Sequence, residues 1–414
     1  MSTALTIDHL GAQGDGVAPT GNGQVFVPFT LPGERVTAAV GKNRADLLAI
    51  LDPSPERVPP ACRHFGTCGG CALQHMAMPA YLAWKRDKVV AALKGRGIDA
   101  PVGDIVASPP HSRRRVVFAV RRTERGILLG YNQALSHQII DIEECPISVP
   151  AIVSALGQLR ELARIACNTG DAFRMAVTAS ETGLDIELRD AGKLTDDART
   201  AASRFAMAAG FARVSVDGEI VIEPRKPVLM AGEIAVMPPP GAFVQAVAHA
   251  EEAMATLVTD HLRKAKNVAD LFCGWGTFSL RLAKRSQVHA VEADAPALAA
   301  LDRAFRFGEG LKTVTTEKRD LFRRPLTFKE LDARFDGLVF DPPRAGAEDQ
   351  ARQIARSSVP HVAAVSCNPV TLARDLEILI AGGYTLKSVA PVDQFLWSPH
   401  VEAVALLEKP KKRR

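Results

Sequence analysis

The sequence predicts a multidomain protein: a small N-terminal β-barrel, a central α+β domain, and a C-terminal α/β domain built on a doubly wound, mostly parallel sheet. Three observations lead there. A chain of 414 residues exceeds what one core usually serves. Its first fifty residues form short alternating segments broken by glycine, the pattern of a small antiparallel barrel. After residue 243, strand-like and helix-like segments alternate, which argues for parallel strands joined by crossover helices.

Each element has its own justification. TALTIDHL, GVAPTGNGQVFVPF, ERVTAAV and DLLAILD alternate apolar and polar positions, with turn signals at Gly14-Asp15-Gly16 and Thr20-Gly21-Asn22-Gly23. They define a barrel over residues 1–52, a shape that commonly binds single-stranded nucleic acid. Pro53, Pro55, Pro59 and Pro60 then stiffen a linker into the central domain, 53–238. It opens on CRHFGTCGGC, residues 62–71. In PAYLAWKRDKVVAALKGRG that follows, Tyr81, Leu82, Val89, Ala92 and Leu93 form a helical stripe ended by Gly95 and Gly97. RVVFAVRR, GILLGYN and HQIIDIEEC alternate as strands, as do RMAVTAS, LDIELRD, ARVSV and EIVIEP.

MPPPGAF, residues 237–243, marks the boundary of the third domain, 239–414. There NVADLFCGWG is an apolar strand running into a glycine-rich turn, followed by the helix TFSLRLAKR. QVHAVEAD is a second strand and PALAALDRAFRFG its helix. FDGLVFDPPRAG, HVAAVSCNP and HVEAVALLE supply further strands, with helices at EDQARQIARSS and VTLARDLEILIAGG. Ligands of such a sheet belong at the carboxyl ends of its strands.

Composition narrows the partners. The chain is 47% hydrophobic and 23% charged, no apolar run reaches membrane-spanning length, and MSTALTIDHLGAQGDG lacks the basic and apolar regions of a signal peptide. A cytoplasmic protein with no membrane partner is expected, and nothing demands more than a monomer. A net charge of +5 is only mildly basic, so a polyanion partner must be inferred from where the charge sits. Arg113, Arg114, Arg115, Arg121, Arg122 and Arg125 crowd one region and KPKKRR ends the chain; both are candidate phosphate contacts or simply solvated charge.

Chemistry concentrates in the third domain. In DLFCGWGTF, Gly274 and Gly276 let the backbone turn sharply near a ligand, although Ser279 replaces the third glycine of the dinucleotide fingerprint. Glu292 ends the second strand, where an acid suits a ribose hydroxyl pair, and Asp320 follows the third, within reach of an adenine amine. An acidic loop together with Asp341-Pro342-Pro343 looks like a class I S-adenosylmethionine methyltransferase. Two chemistries then compete. Enzymes acting on exocyclic amines use a related element ending in an aromatic residue, and Arg344 stands there instead. Methylation of C5 of uracil requires a nucleophile to add at C6 first. Cys367 in VSCNPVTLARD is such a nucleophile, at a strand end and just before a helix whose N-terminal field should favour a thiolate. Glu402 in SPHVEAVALLE is the carboxylate for the C5 proton, and His400 beside it reads as structural.

These residues resemble the S-adenosylmethionine-dependent RNA uracil-5 methyltransferases, specifically the iron–sulfur branch acting on ribosomal RNA. FCGWGTFSL, FDPPRAG, SCNPVTLARDL and HVEAV answer the family motifs in order, and C-x5-C-G-G-C-x2-Q-H with a distant CPI answers its cluster motif. The resemblance implies that Cys367 is the nucleophile and Glu402 the proton acceptor. It places Gln245, Phe272, Thr277, Glu292, Asp320 and Asp341 on donor-binding positions, with Asp341 expected to fix donor or base geometry. It also implies that the barrel is a TRAM-like RNA-binding domain, and that 23S ribosomal RNA is favoured as substrate over transfer RNA. Cys62, Cys68, Cys71 and Cys145 supply four thiols. By spacing alone zinc rivals iron here; the resemblance favours a [4Fe-4S] cluster, expected to staple the arginine-rich strands of residues 113–145 to the loop at 62–71 and so shape an RNA-binding face. Cys167 is expected to be buried and inert, and Cys273 belongs to the donor loop by position.

Overall fold

The computed structural model describes residues 2–21 and 23–410. Asn22 of the second predicted turn and the last four residues of the KPKKRR tail lie outside the described residues.

The N-terminal segments form two three-stranded antiparallel sheets that share one core. Arg35–Val40 pairs with Ser2–Thr6 on one side and Ala45–Asp52 on the other, while Gly16–Thr20 pairs with both His9–Leu10 and Gly23–Val27. Alternation sends Leu5, Ile7, Val25, Val27, Val36 and Ala38 inward, where they bury each other. Glu34 is buried at the edge of this core, and its carboxylate accepts two bonds from the Arg57 guanidinium, at 2.6 and 2.8 Å. The cation, with backbone N–H bonds from Leu31 and Ser54, holds that carboxyl below its ordinary value against the cost of burial.

The central sheet has seven strands, running across it as Glu219–Ile222, Arg213–Val216, Gly183–Arg189, Phe173–Ser180, Arg115–Thr123, Gly126–Asn132 and Ile139–Asp141. All the strands read from the sequence are present. The helices Pro150–Ser154, Leu156–Ala166 and Asp196–Ala208 were not read there, and they cover one face, packing Leu159, Leu162 and Ala202 against Phe118, Met175 and Ile186. MPPPGAF is more than a boundary. It straps the opposite face, with Arg213, Arg189 and Arg115 donating to the carbonyls of Pro238, Gly241 and Ala242 at 3.0, 3.1 and 3.2 Å.

The third sheet also has seven strands. In chain order they are Asn267–Leu271, Gln287–Glu292, Val314–Lys318, Gly337–Phe340, His361–Ser366, Thr385–Val392 and Glu402–Glu408. Across the sheet they lie third, second, first, fourth, fifth, seventh, sixth, parallel except for the seventh, which runs antiparallel to both neighbours. The switch point falls between the first and fourth strands. Helices Ala295–Phe307, Glu348–Arg356 and Pro369–Ala381 match the predicted ones; the helix after the glycine turn is only Ser279–Leu282, shorter than expected.

The helix Met78–Lys94 leaves the central sheet and packs against the helix Pro369–Ala381 and the strand Thr385–Val392. Val89 and Leu93 join that core. The chain beyond it bridges from Val102 to Val389 and from Val106 to Val392. The cysteine-rich segment is thereby tied to the edge of the third sheet.

Candidate active site

The glycine turn at the end of the first strand is tightly built. Phe272 sits at φ +60°, a strained value for an aromatic residue, at the point where the chain leaves the strand. Gly276 has φ +101°, and a Cβ there would stand 2.4 Å from Leu301 Cδ1, so only glycine lets the helix Ala295–Phe307 approach. Glu292 closes the turn from the second strand: its carboxylate accepts from the backbone N–H groups of Gly274 (3.1 Å), Ala293 (2.6 Å) and Asp294 (3.0 Å). Asp320 lies two residues past the third strand, accepting from Phe322 N at 3.0 Å, and the half-exposed Phe322 ring stands 5.4 Å from that of Phe272. Thr277 is at the turn's far end, where its carbonyl accepts from Arg281. Beneath the turn, buried Asp270 accepts from Ser279 Oγ at 2.5 Å through one oxygen, while the other has no hydrogen-bond partner. Burial, then the charges of Asp341 and Glu292, push Asp270 up to about 7. A single acid inside the apolar NVADLF strand was the available signal for it.

The fifth and seventh strands bring Cys367 and Glu402 together. Ser366 pairs with Ala403, so the next step of the same antiparallel register sets Cys367 opposite Glu402. Side chains so placed share a face, with Cβ atoms about 5 Å apart. Asn368 caps the helix that follows, accepting from Val370 N at 3.1 Å and donating to the Arg344 carbonyl at 3.1 Å, which fixes the DPPR loop beside the cysteine. The Asp341 carboxylate accepts from Gln245 Nε2 (3.2 Å), Gln245 Oε1 accepts from Gln394 Nε2 (2.7 Å), and the same Gln394 nitrogen donates to Glu402 Oε1 (2.6 Å). Gln394 was missed in the sequence. It lies in an irregular connection, and only the folded chain brings it to Glu402. Phe243, two residues before Gln245, is a large exposed aromatic beside this cleft, its carbonyl held by Trp275 Nε1 at 2.9 Å.

The electrostatics overturn one expectation. The field of the following helix does not make Cys367 a ready thiolate. Burial, then the charges of Glu402 and Asp341, push its thiol up to about 11, with Arg344 pulling the other way. Burial likewise raises Asp341 to about 7, and burial with the charge of Asp341 raises Glu402 to about 8, against the Gln394 hydrogen bond. Two acids and a thiol sharing one dry cleft cannot all ionise together. His400 lies outside the strand, within 3.4 Å of Arg344 Nη2, and burial with the surrounding cations lowers it to about 4.

The arginine cluster divides in two. Arg114 pairs with buried Glu251 at 2.6 Å and donates to the Gln245 carbonyl at 3.1 Å; Arg113 lies over the Phe395 ring, and Arg115 holds the strap. These three are engaged by partners within the protein. Arg121, Arg122 and Arg125 are exposed.

Cys62, Cys68, Cys71 and Cys145 line a single small cavity, closed by Phe65, Tyr131, Ile142, Pro146 and Ile147. All four are free thiols, and burial pushes Cys71 up to about 12. Among the described residues no three His, Cys, Asp or Glu side chains gather tightly enough for a single metal ion. Gly69 lets this loop bond the hairpin behind it, its N–H reaching Asn132 O at 3.0 Å where a Cβ would stand 2.6 Å from that oxygen. On the other side Ala72 N and Leu73 N both donate to the carbonyl of Trp397, at 2.9 and 3.1 Å. Trp397 N donates to Tyr81 Oη at 2.7 Å, and Tyr81 Oη donates to Asp393 Oδ2 at 2.8 Å. Lys85, fully buried, pairs with Asp393 Oδ1 at 2.5 Å. Cys167 is buried, as expected, and so is Cys273 in the donor loop.

A seven-stranded sheet of this order, with a glycine turn, an acid ending the second strand and a D-P-P loop after the fourth, defines a class I S-adenosylmethionine methyltransferase. The tRNA (uracil-5-)-methyltransferase family matches residues 230–410. An uncharacterized RNA methyltransferase of Mesorhizobium japonicum is 64% identical over all of both chains. The 23S rRNA (uracil(1939)-C(5))-methyltransferase RlmD of Halomonas elongata is 33% identical over 99% of this chain and 90% of its own. The chain belongs to the S-adenosylmethionine-dependent RNA (uracil-5-)-methyltransferases. The solved Pyrococcus abyssi tRNA (uracil-54, C5)-methyltransferase, at 23% identity, covers 98% of this chain and 99% of its own with a TM-score of 0.76, and shares the fold. No described helix is long and apolar enough to cross a membrane.

Proposed function

We propose that this enzyme methylates C5 of a uridine in 23S ribosomal RNA through a covalent adduct with Cys367. The observation that carries the reading is that Cys367, one residue past the Ser366–Ala403 pair, lies close enough to Glu402 for that carboxylate's charge to act on its thiol, at the carboxyl end of the donor sheet. The 23S rRNA activity named for the Halomonas relative supports the choice of RNA. A target uridine leaves its stack, at a cost of roughly a few kcal/mol that is least in a loop, and enters the cleft beside Phe243. The Cys367 sulfur, its proton lost to solvent, bonds to C6, and the C5=C6 electron pair moves into an enolate. C5 then takes the methyl group of S-adenosylmethionine as the methyl–sulfonium bond breaks toward sulfur. Glu402 accepts the C5 proton; that C–H pair restores C5=C6, and the C6–S pair leaves with Cys367. Gln245, Phe272, Thr277, Glu292, Asp320 and Asp341 hold the donor, with Asp341 fixing geometry. Backbone phosphates meet Arg121, Arg122 and Arg125 and the TRAM-like N-terminal unit, which makes affinity salt-dependent.

Cys62, Cys68, Cys71 and Cys145 hold a [4Fe-4S] cluster in this reading. The support is four thiols lining one small, largely apolar cavity. Its contribution is a cross-link that keeps the loop at 71–73 on Trp397. Anaerobically purified protein should contain about four irons and four sulfides per chain; one zinc and no sulfide would sink that assignment.

The decisive experiment uses ribosomal and transfer RNA from a deletion strain. Wild-type enzyme should restore one 5-methyluridine to ribosomal RNA, Cys367→Ala should bind without forming an adduct, and Glu402→Gln should methylate and stall as a covalent complex. Normal turnover by Cys367→Ala would remove the mechanism, and methylation confined to transfer RNA would remove the substrate assignment.

A further inference from the structure

We infer that Gln394 is the positioning residue that aims the Glu402 carboxylate at the C5 proton and ties it to the donor side of the cleft. This rests on the reading of Glu402 as proton acceptor.

Gln394 is buried, 1% exposed, and spends its whole side-chain amide in the site. Its Oε1 accepts from Ala246 N at 3.0 Å. A backbone N–H can only donate, so this bond decides which end of the amide is oxygen and leaves Nε2 facing two acceptors, Gln245 Oε1 and Glu402 Oε1. Rotating the amide would set a carbonyl oxygen against the carboxylate. Gln245 repeats the arrangement one step further, its own Nε2 reaching Asp341 Oδ2. Two buried acids are therefore joined through two amides: Gln394 Nε2 donates both to Glu402 and to Gln245 Oε1, and Gln245 Nε2 donates to Asp341. Glu402 Oε1 is occupied, and Oε2 has no hydrogen-bond partner among the described residues, which makes it the oxygen left to take a proton.

Gln394 is held from its neighbours as well. Asp393 N donates to Val106 O at 2.8 Å, and the Asp393 carboxylate is gripped by Tyr81 and Lys85 from the helix Met78–Lys94. Arg114 fixes the far partner, donating through its backbone N–H to Ala246 O at 2.8 Å and through its side chain to Gln245 O. The bond to Glu402 favours the charged carboxylate, opposing the effects of burial and of Asp341. Gln394 thus keeps a buried acid usable as a base and pointed in one direction.

Gln394→Met keeps the length and removes every polar contact. With ribosomal RNA from the deletion strain as substrate, kcat should fall by about ten- to a hundredfold, by more than S-adenosylmethionine affinity falls, while the circular dichroism spectrum stays unchanged. Two readouts separate positioning from mere support. The covalent RNA adduct should accumulate on denaturing gels, because proton removal is the step that fails. The acid limb of the kcat–pH profile should move upward, because Glu402 loses the bond that favours its charged form. Gln394→Asn, too short to reach both partners, should give the same adduct and the same direction of shift if the Met variant is unstable. If Glu402→Gln stalls while both Gln394 variants turn over without adduct and with an unmoved limb, the role of Gln394 is refuted alone. If Glu402→Gln itself turns over normally, the reading of Glu402 falls instead.

Discussion

The least ordinary property of the site is that its proposed nucleophile resists ionising, and it can be titrated. Cys367 at about 11 instead of the usual 9 carries about a hundredfold less thiolate at neutral pH. Part of that comes from Glu402 on the facing strand. Two unit charges about 5 Å apart at an effective dielectric of about 20 interact by about 3 kcal/mol, which is about 2 pH units. Glu402→Gln should therefore lower the Cys367 value by up to that amount without bringing it below an ordinary thiol, since burial, the larger cause, remains. Iodoacetamide modification of the peptide carrying Cys367, followed by mass spectrometry from pH 7 to 11, measures both curves. Near pH 8 to 9, where Glu402 carries its charge and wild-type Cys367 is still almost wholly protonated, the variant should react about ten- to a hundredfold faster, and the two curves should converge as pH approaches 11. The reasoning is wrong if wild-type Cys367 reacts at pH 7.5 like a free thiol, or if the two curves coincide. A positively charged sulfonium bound beside Asp341 should act in the same direction, so saturating S-adenosylmethionine is expected to speed modification until it blocks access.

The same acids leave a mark on stability. Asp341 at about 7 and Glu402 at about 8 both exceed their unfolded values of 3.8 and 4.5, so their contribution to stability is full only below those values and is lost progressively as pH rises from there through 7 to 8. The wild-type melting temperature should fall between pH 6 and pH 9 by more than that of Glu402→Gln, and equal falls would refute the assignment. Lys85→Met leaves Asp393 buried without its cation and should cost about 3–5 kcal/mol in urea unfolding; a loss under about 1 kcal/mol would show the pair to be idle. Arg121→Ala with Arg125→Ala should weaken RNA binding and flatten its salt dependence by about one to two phosphate contacts, whereas Arg114→Ala should lower the melting temperature, because buried Glu251 loses one of its two cations and keeps only Arg281. Reversed outcomes would restore the whole cluster as a phosphate patch.

Much of this was legible from residue order. Periodicity placed most strands of both large sheets, though not Thr385–Val392 at the edge of the third, because strand alternation and apolar runs are local signals, and the glycine turn, Glu292 and Cys367 were recognisable because a strand end beside a helix start is written in consecutive residues. Helices such as Leu156–Ala166 escaped, since mixed segments carry competing periods. The intramolecular pairing of Arg114 and Arg115 was hidden for a related reason. Charge in a sequence reads as exposed, yet Glu251 and the carbonyls of Gln245 and Ala242 wait for them inside.

The sequence by itself determined the reaction class: the identities and spacing of the glycine turn, the D-P-P loop, the cysteine and the late glutamate admit few other chemistries. Tertiary structure alone decided how those groups are tuned. Gln394, Gln245, Arg114 and Trp397 come from distant parts of the chain, and the pKa of a thiol depends on how much water is excluded and which charges face it across neighbouring strands. Those quantities are set by distance in space, which no local pattern of residues encodes.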